Sequence, residues 1–283
     1  MMNPVLWALV SSGAFGLSDF VGGAASRRAP ALQIVLISYP VSAALIVLLA
    51  CIVGGEPTTE SLLWGAASGA VMAAAMWSFY WALAHGPMSV VSPLTAVIVT
   101  ILPVSVGLLQ GERNSVAAMV GVAVAIVAVL LVSKEPRRTG FDGRRLTMRI
   151  LLVTAVAGFA FGFSFIFTGQ IASGTGLWPL VAARSTATVV ILAAAVASRQ
   201  VRAPRGIALA GAVTVGALDV VANTAMLFAF QEGTLSLGSA VIALYPAVTV
   251  ILAICILRER VAWWQTVGLV LAAASVFVIS INS

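Results

Sequence analysis

Apolar runs of about twenty residues recur along this 283-residue chain with only short polar interruptions, and no other feature restricts its fold as tightly. A helix of that length rises about 30 Å, the thickness of the hydrocarbon core of a bilayer. No water is present there to satisfy backbone groups, so a spanning segment is a helix or part of a closed barrel. Barrel strands are about half as long and alternate apolar with polar residues, a pattern these runs lack. Hydrophobic residues make up 61% of the sequence and charged residues 8%, where a soluble domain carries roughly 25% charged residues. Lipid is therefore the solvent of this fold.

Breaking the runs at charge, glycine and proline predicts ten transmembrane helices, near 4–24, 32–53, 62–82, 88–109, 115–133, 148–170, 177–198, 206–228, 235–257 and 262–281. The expected fold class is an all-α integral membrane protein. The first run has no basic segment before it and reads as a retained span, not a cleaved signal. Cys51 and Cys255 lie in apolar runs without ligand spacing, so no disulfide, metal site or cofactor is expected.

The formal net charge of +6 does not point to nucleic acid, because the basic residues sit in short loops and form no stripe. They follow alternate loops instead. Arg27 and Arg28, then Lys134, Arg137, Arg138, Arg144, Arg145 and Arg149, then Arg199, Arg202 and Arg205, and finally Arg258 and Arg260 occupy one set; the opposite set holds Arg113, and Arg184 falls within a span. Positive residues are retained on the cytoplasmic side. The expectation is a multi-pass protein of a bacterial-type inner (plasma) membrane, with the basic loop 134–147 cytoplasmic and both termini outside.

An internal repeat runs through the chain. A shift of 147 residues superposes Gly69 on Gly216, Gly86 on Gly233, Ser89 on Ser236, Ser92 on Ser239, Glu112 on Glu259, Arg113 on Arg260 and Gly121 on Gly268. Upstream, a shift of 146 aligns Ala14-Phe15-Gly16 with Ala160-Phe161-Gly162 and Ser18 with Ser164. The expected domains are a first five-helix repeat, 1–133, a basic linker, 134–147, and a second five-helix repeat, 148–283. Five is odd, so the second repeat enters the membrane from the opposite side, giving the inverted repeats on which many transporters alternate access.

Two segments carry a family resemblance: Leu108-Leu109-Gln110-Gly111-Glu112-Arg113 before a helix bearing Gly121, and Ile256-Leu257-Arg258-Glu259-Arg260 before Gln265-Thr266-Val267-Gly268. With the two five-helix halves, they resemble the drug/metabolite transporter superfamily, specifically the EamA type, although Arg258 stands where the family's second turn usually has glycine. The resemblance implies a secondary transporter, with export of small metabolites such as amino acids as the first expectation and multidrug or organic-cation efflux as the alternative. A passive channel or scramblase shares the same hydropathy. The expected partners are a small-molecule substrate and the bilayer, with no nucleic acid, as monomer or homodimer.

Ionisable groups inside spans cost several kcal/mol and mark candidate sites. Asp219 lies near mid-depth of its span with Asn223 at i+4 on the same face, and Arg184 reaches similar depth from the other side. Asp219, Asn223 and Arg184 are read either as a polar focus for a substrate amine, carboxylate or proton, or as a static pair locking two helices. Asp19, near Arg27 and Arg28, is read as a proton-coupling carboxylate or as a solvated helix-end residue. Trp77, Tyr80, Trp81 and Tyr245 are candidates for lining a cavity or anchoring at headgroup depth. Pro93, Pro103 and Pro246 are candidate helix breaks. His85 precedes Gly86-Pro87 in a short loop, and Glu112 and Glu259 are expected to pin turns.

An enzyme is not expected. Asp19 in Leu17-Ser18-Asp19-Phe20 and Asp219 in Ala217-Leu218-Asp219-Val220 lack the contexts of an intramembrane protease dyad, and the sequence shows no phosphate loop, nucleophile elbow or metal-ligand set.

Overall fold

A computed structural model describes residues 3–26, 28–85, 88–133, 147–199, 201–257 and 262–282. Among these residues all regular structure is helical: α1 (Pro4–Ser26), α2 (Ala31–Val53), α3 (Thr59–His85), α4 (Met88–Leu109), α5 (Val116–Ser133), α6 (Met148–Gly169), α7 (Trp178–Ala197), α8 (Ile207–Glu232), α9 (Leu235–Ile242), α10 (Tyr245–Leu257) and α11 (Trp263–Asn282). Six of them, α1, α2, α3, α6, α7 and α8, are long and apolar enough to cross a membrane, and shorter apolar stretches run through the rest. Short polar side chains start several helices by accepting from free backbone N–H groups: Asn3 from Val5, Ser115 from Ala118, Thr147 from Ile150 and Thr234 from Leu237.

The prolines behave unequally. The run expected as one helix over 235–257 is two, separated at Ala243-Leu244. Pro246 has no N–H to offer the carbonyl of Ile242, and the chain tightens through Leu244 N–H to Val241 (3.1 Å) and Ala247 N–H to Leu244 (2.8 Å) before α10 starts. Pro246 then sits in the first turn of α10, where a missing N–H is harmless. At Pro93 and Pro103, the other candidate breaks, α4 runs on as one helix, Met88–Leu109. One lost backbone bond in a 22-residue helix is less costly in lipid than freeing a whole turn of polar groups.

Helix packing follows the repeat. α1 packs along α8 as α6 packs along α3; α2 meets α8 as α7 meets α3; α1 meets α10 as α6 meets α4; and α2–α7 and α5–α11 pair across the halves. Glycines that coincide in the repeat sit at coinciding crossings. A Cβ on Gly69 would overlap the Ala183 carbonyl, and one on Gly216 would stand 2.6 Å from the Ser38 carbonyl. A Cβ on Gly121 would lie 2.8 Å from Ile279, and one on Gly268 2.8 Å from Val132. Small residues let these backbones approach where side chains would hold them apart.

The two ends of the bundle differ in charge and in packing. One end, the basic end, carries Arg28, Arg149, Arg199, Arg202 and Arg205; the other, the acidic end, carries Glu56, Glu60, Glu112 and Glu232 with Arg113. The largest core cluster lies wholly in the acidic half and draws on both repeats: Val5 and Ala8 of α1, Val99 and Val104 of α4, Phe165 of α6, Met226 and Phe230 of α8, and all but the polar and glycine positions of α9. Toward the basic end the described clusters are smaller. Ala25, Ile34, Ala208 and Ala212 hold α1, α2 and α8 together, while Ala82, Val91 and Ile150 hold α3, α4 and α6. Val35, Tyr39, Ala73, Ala187 and Ile191 join α2, α3 and α7, and Ala125, Val129, Val132 and Ala272 join α5 and α11 to Leu244, just before α10.

Loops seal the acidic end. Glu56 N–H donates to the Gly174 carbonyl (3.1 Å), and the α2–α3 and α6–α7 connections touch so closely that a Cβ on Gly55 would fall 2.5 Å from the backbone nitrogen of Gly176. The Glu112 carboxylate accepts from the N–H groups of Leu235 (2.6 Å) and Ser236 (3.1 Å) and from the Ser236 hydroxyl. A carboxylate on the first turn of α9 satisfies donors the helix cannot, and complements its dipole. Glu259 and Arg260 lie outside the described residues, as do the side chains of Tyr80, His85 and Pro93.

Candidate functional site

Val5, Ala8, Ser12, Phe15 and Asp19 follow one another at spacings of three and four, and so form one stripe along α1. The first three are buried, and Val5 and Ala8 belong to the large core. Phe15 is half-buried at the edge of that core, and Asp19 is exposed. The same stripe thus passes from sealed protein at the acidic end to open space in the basic half. The opposite face of α1, with Leu6, Val10 and Leu17, is exposed and apolar, as a lipid-facing surface must be. Asp19 is therefore on the inward face of α1.

The break between α9 and α10 lies beside it. The first turn of α10 presses on α1 at Gly16, where a Cβ would come within 2.6 Å of the Tyr245 carbonyl. Thr249 donates its hydroxyl to the Gly16 carbonyl (3.0 Å) and fixes the contact. The rings of Tyr245 and Phe15 are 6.4 Å apart, and Tyr245 lies within reach of the Asp19 charge. Of the residues singled out in the sequence, the structure brings together Asp19, Tyr245 and Pro246.

Asp219, Asn223 and Arg184 form a second, separate group at the meeting of α2, α7 and α8. Arg184 Nε is 2.8 Å from Asp219 Oδ2, with side-chain exposures of 4% and 14%. Ser42 Oγ donates to the same oxygen (2.5 Å), and Asn223 Nδ2 donates to Oδ1 (3.0 Å). The Arg184 guanidinium stacks over the Tyr39 ring at 5.6 Å. Both carboxylate oxygens are occupied by protein donors, as a buried charge requires. Ser42 and Tyr39 are the members that sequence reading missed; the signal was a serine and a tyrosine in an otherwise aliphatic span.

Of the aromatic candidates on α3, Trp77 joins neither group among the described residues. Trp77 shares the exposed face of α3 with Leu63 and Ala74, away from Gly69 and Ser68, which meet α7 and α6. Trp81 lies under Arg149, whose guanidinium carbon stands 5.0 Å from the ring centroid. Both are placed as membrane-anchoring aromatics are.

A sequence model described as the EamA-like transporter family matches residues 2–134 and again 148–281. The chain belongs to the EamA-like transporter family. It is a multi-pass membrane transporter with a duplicated EamA domain, and catalysis is not the family's ordinary business. Comparison with curated proteins gives no match. A solved crystal structure shares the fold, with a TM-score of 0.76 over 98% of this chain and 95% of its own at 14% identity.

Proposed function

We propose that this EamA-like protein is a secondary exporter of small metabolites such as amino acids, working by alternating access between two inverted five-helix repeats that together supply ten spans. The exchange-related helix pairs and matched glycine crossings support the inverted arrangement, since a pseudo-two-fold axis in the membrane plane requires contacts to recur when the halves are swapped. The α9–α10 pair counts as one interrupted span. The positive-inside rule sets the basic end in the cytoplasm and both termini outside. In this reading the acidic end, closed by its loops, and Asp19, exposed toward the basic end, belong to a cytoplasm-facing state, the one in which an exporter loads.

One observation carries the assignment of the site: the inward stripe of α1 is buried from Val5 to Ser12 and emerges at Asp19. A carboxylate on the wall of a closed-ended vestibule, beside the Phe15 and Tyr245 rings and a helix break, has the chemistry to hold a proton or a substrate amine in turn. Exchange of one for the other couples export to a proton gradient. The Arg184–Asp219 cluster, with its acceptors filled, pins α7 to α8 and α2.

The test is flux of labelled amino acids and organic cations in inverted vesicles under an imposed pH gradient. Saturable, gradient-dependent flux is expected, falling at least 100-fold in Asp19→Asn while the thermal unfolding of the purified variant stays near wild type. Wild-type flux with unaltered pH dependence in Asp19→Asn would sink the coupling role. Selective loss of cation flux alone would favour organic-cation efflux, the reading that the carboxylate beside two rings also fits.

A further inference from the structure

Between α2 and α7 at the basic end lies a cavity of about 280 Å³, lined by Leu36, Tyr39 and Pro40 on one side, Leu192 on the other, and Val201 and Ala203 of the α7–α8 loop below. Its inner wall is the packed cluster of Val35, Tyr39, Ala73, Ala187 and Ile191. Pro40, Leu192 and Val201 are exposed, so the crevice opens sideways, toward the surroundings of the bundle. For a membrane-spanning bundle those surroundings are acyl chains.

The mouth of the crevice is basic. The loop Ser198-Arg199-Gln200-Val201-Arg202-Ala203-Pro204-Arg205-Gly206 has three arginines and no acid, and Arg199, Arg202 and Arg205 are exposed. From Ala197, the last residue of α7, back to Thr188, the far end of its lining, is a helix rise of about 14 Å, roughly half of a 30 Å hydrocarbon core. An apolar slot one leaflet deep, roofed by fixed positive charge at headgroup level, matches an anionic phospholipid in both its parts.

We infer that the α2–α7 crevice is a binding site for one anionic phospholipid, with an acyl chain in the slot and its phosphate held by Arg199, Arg202 and Arg205. The occupied slot buttresses the Tyr39 ring from outside and so supports the stacked Arg184 within. This inference is independent of the cargo reading, because the residues lining the slot include none of the Asp19, Phe15 and Tyr245 group.

The full chain in nanodiscs of equal phosphatidylglycerol and phosphatidylcholine, released into native mass spectrometry, tests it. Wild type is expected to retain one phosphatidylglycerol in preference to phosphatidylcholine. Removing the three charges in R199Q/R202Q/R205Q is expected to weaken retention about 100-fold, at about fivefold for each arginine near the headgroups. Ala203→Trp, which fills the slot and keeps every charge, is expected to displace the lipid as well, with thermal unfolding in detergent as the control for folding. Equal retention of the two lipids in wild type overturns the proposal. So does unchanged retention in Ala203→Trp, which would mean headgroup attraction without a seated chain, or full competition by soluble glycerol phosphate.

Discussion

Asp219 and Asp19 are both aspartates deep in apolar helices, and their surroundings are opposites. Around Asp219 the protein supplies a guanidinium, a hydroxyl and an amide within 3.0 Å, so the charge is neutralised and hydrogen-bonded without water or cargo. Around Asp19 no such cage is found among the described residues; it is exposed on the inward face of α1, with the Phe15 ring one turn away and tilted against Tyr245. A saturated carboxylate stabilises one arrangement of helices. An exposed one is left to water, a proton or cargo. The comparison teaches that charge inside a membrane marks function only after its donors have been counted.

The sharpest way to break that comparison is to remove one partner of the closed cluster. Arg184→Leu leaves the Asp219 charge buried with two neutral donors, and breaking a buried pair in this way costs about 3–5 kcal/mol. The expected result is a severe loss of folded protein and of thermal stability. The double variant Arg184→Leu/Asp219→Leu is expected to recover most of that loss, since neither charge then needs solvation. If Arg184→Leu is instead stable and transports nothing, the cluster is a working site and the division between the two aspartates fails.

A middle-sized effect is expected at the acidic end. Glu112 holds the first turn of α9 with its carboxylate, and helix caps and charge-assisted bonds of this kind contribute about 1–2 kcal/mol. Glu112→Gln weakens the seal and shifts the population toward opening at that end by roughly tenfold. A Ser12→Cys reporter, in a background with Cys51 and Cys255 replaced by serine, reads the shift as faster maleimide labelling from the acidic-end side. Labelling at the wild-type rate would show that Glu112 only finishes a turn and holds nothing shut.

How much of this was legible beforehand depends on the kind of interaction. Helix positions were readable because an apolar run of bilayer length has one low-cost backbone solution, and each observed helix falls on an expected run. The interruption at Ala243-Leu244 was marked by Pro246, whereas α4 runs on through Pro93 and Pro103: whether a proline ends a helix depends on whether the freed carbonyls find new partners, a property of tertiary context. The Arg184–Asp219 pair was foreseeable from depth alone. Its closure by Ser42 and Tyr39 was not, because α2 is remote in sequence and nothing local sets its rotation. Asp19 was legible as an ionisable residue within a span; that it faces inward is set by its neighbours' burial, which no single sequence encodes. Glu112 as a turn-pinning residue was legible as a type; that its target is α9, more than a hundred residues away, was not.

The smallest expected effect tests the face on which the comparison depends. Trp77 is 58% exposed and shares a stripe with Leu63 and Ala74, whereas the contacts of α3 with α6 and α7 leave from other faces. An indole on that stripe touches lipid, so Trp77→Ala removes a membrane anchor without altering the vestibule. Transport is expected to change by less than about twofold, against the 100-fold loss expected from Asp19→Asn, and measuring both variants in the same vesicles gives the ratio directly. A loss at Trp77→Ala as deep as that at Asp19→Asn would mean that cargo travels along the outer face of α3. In that case exposure on this bundle would no longer separate water from lipid, and the assignment of Asp19 to a vestibule would fall with it.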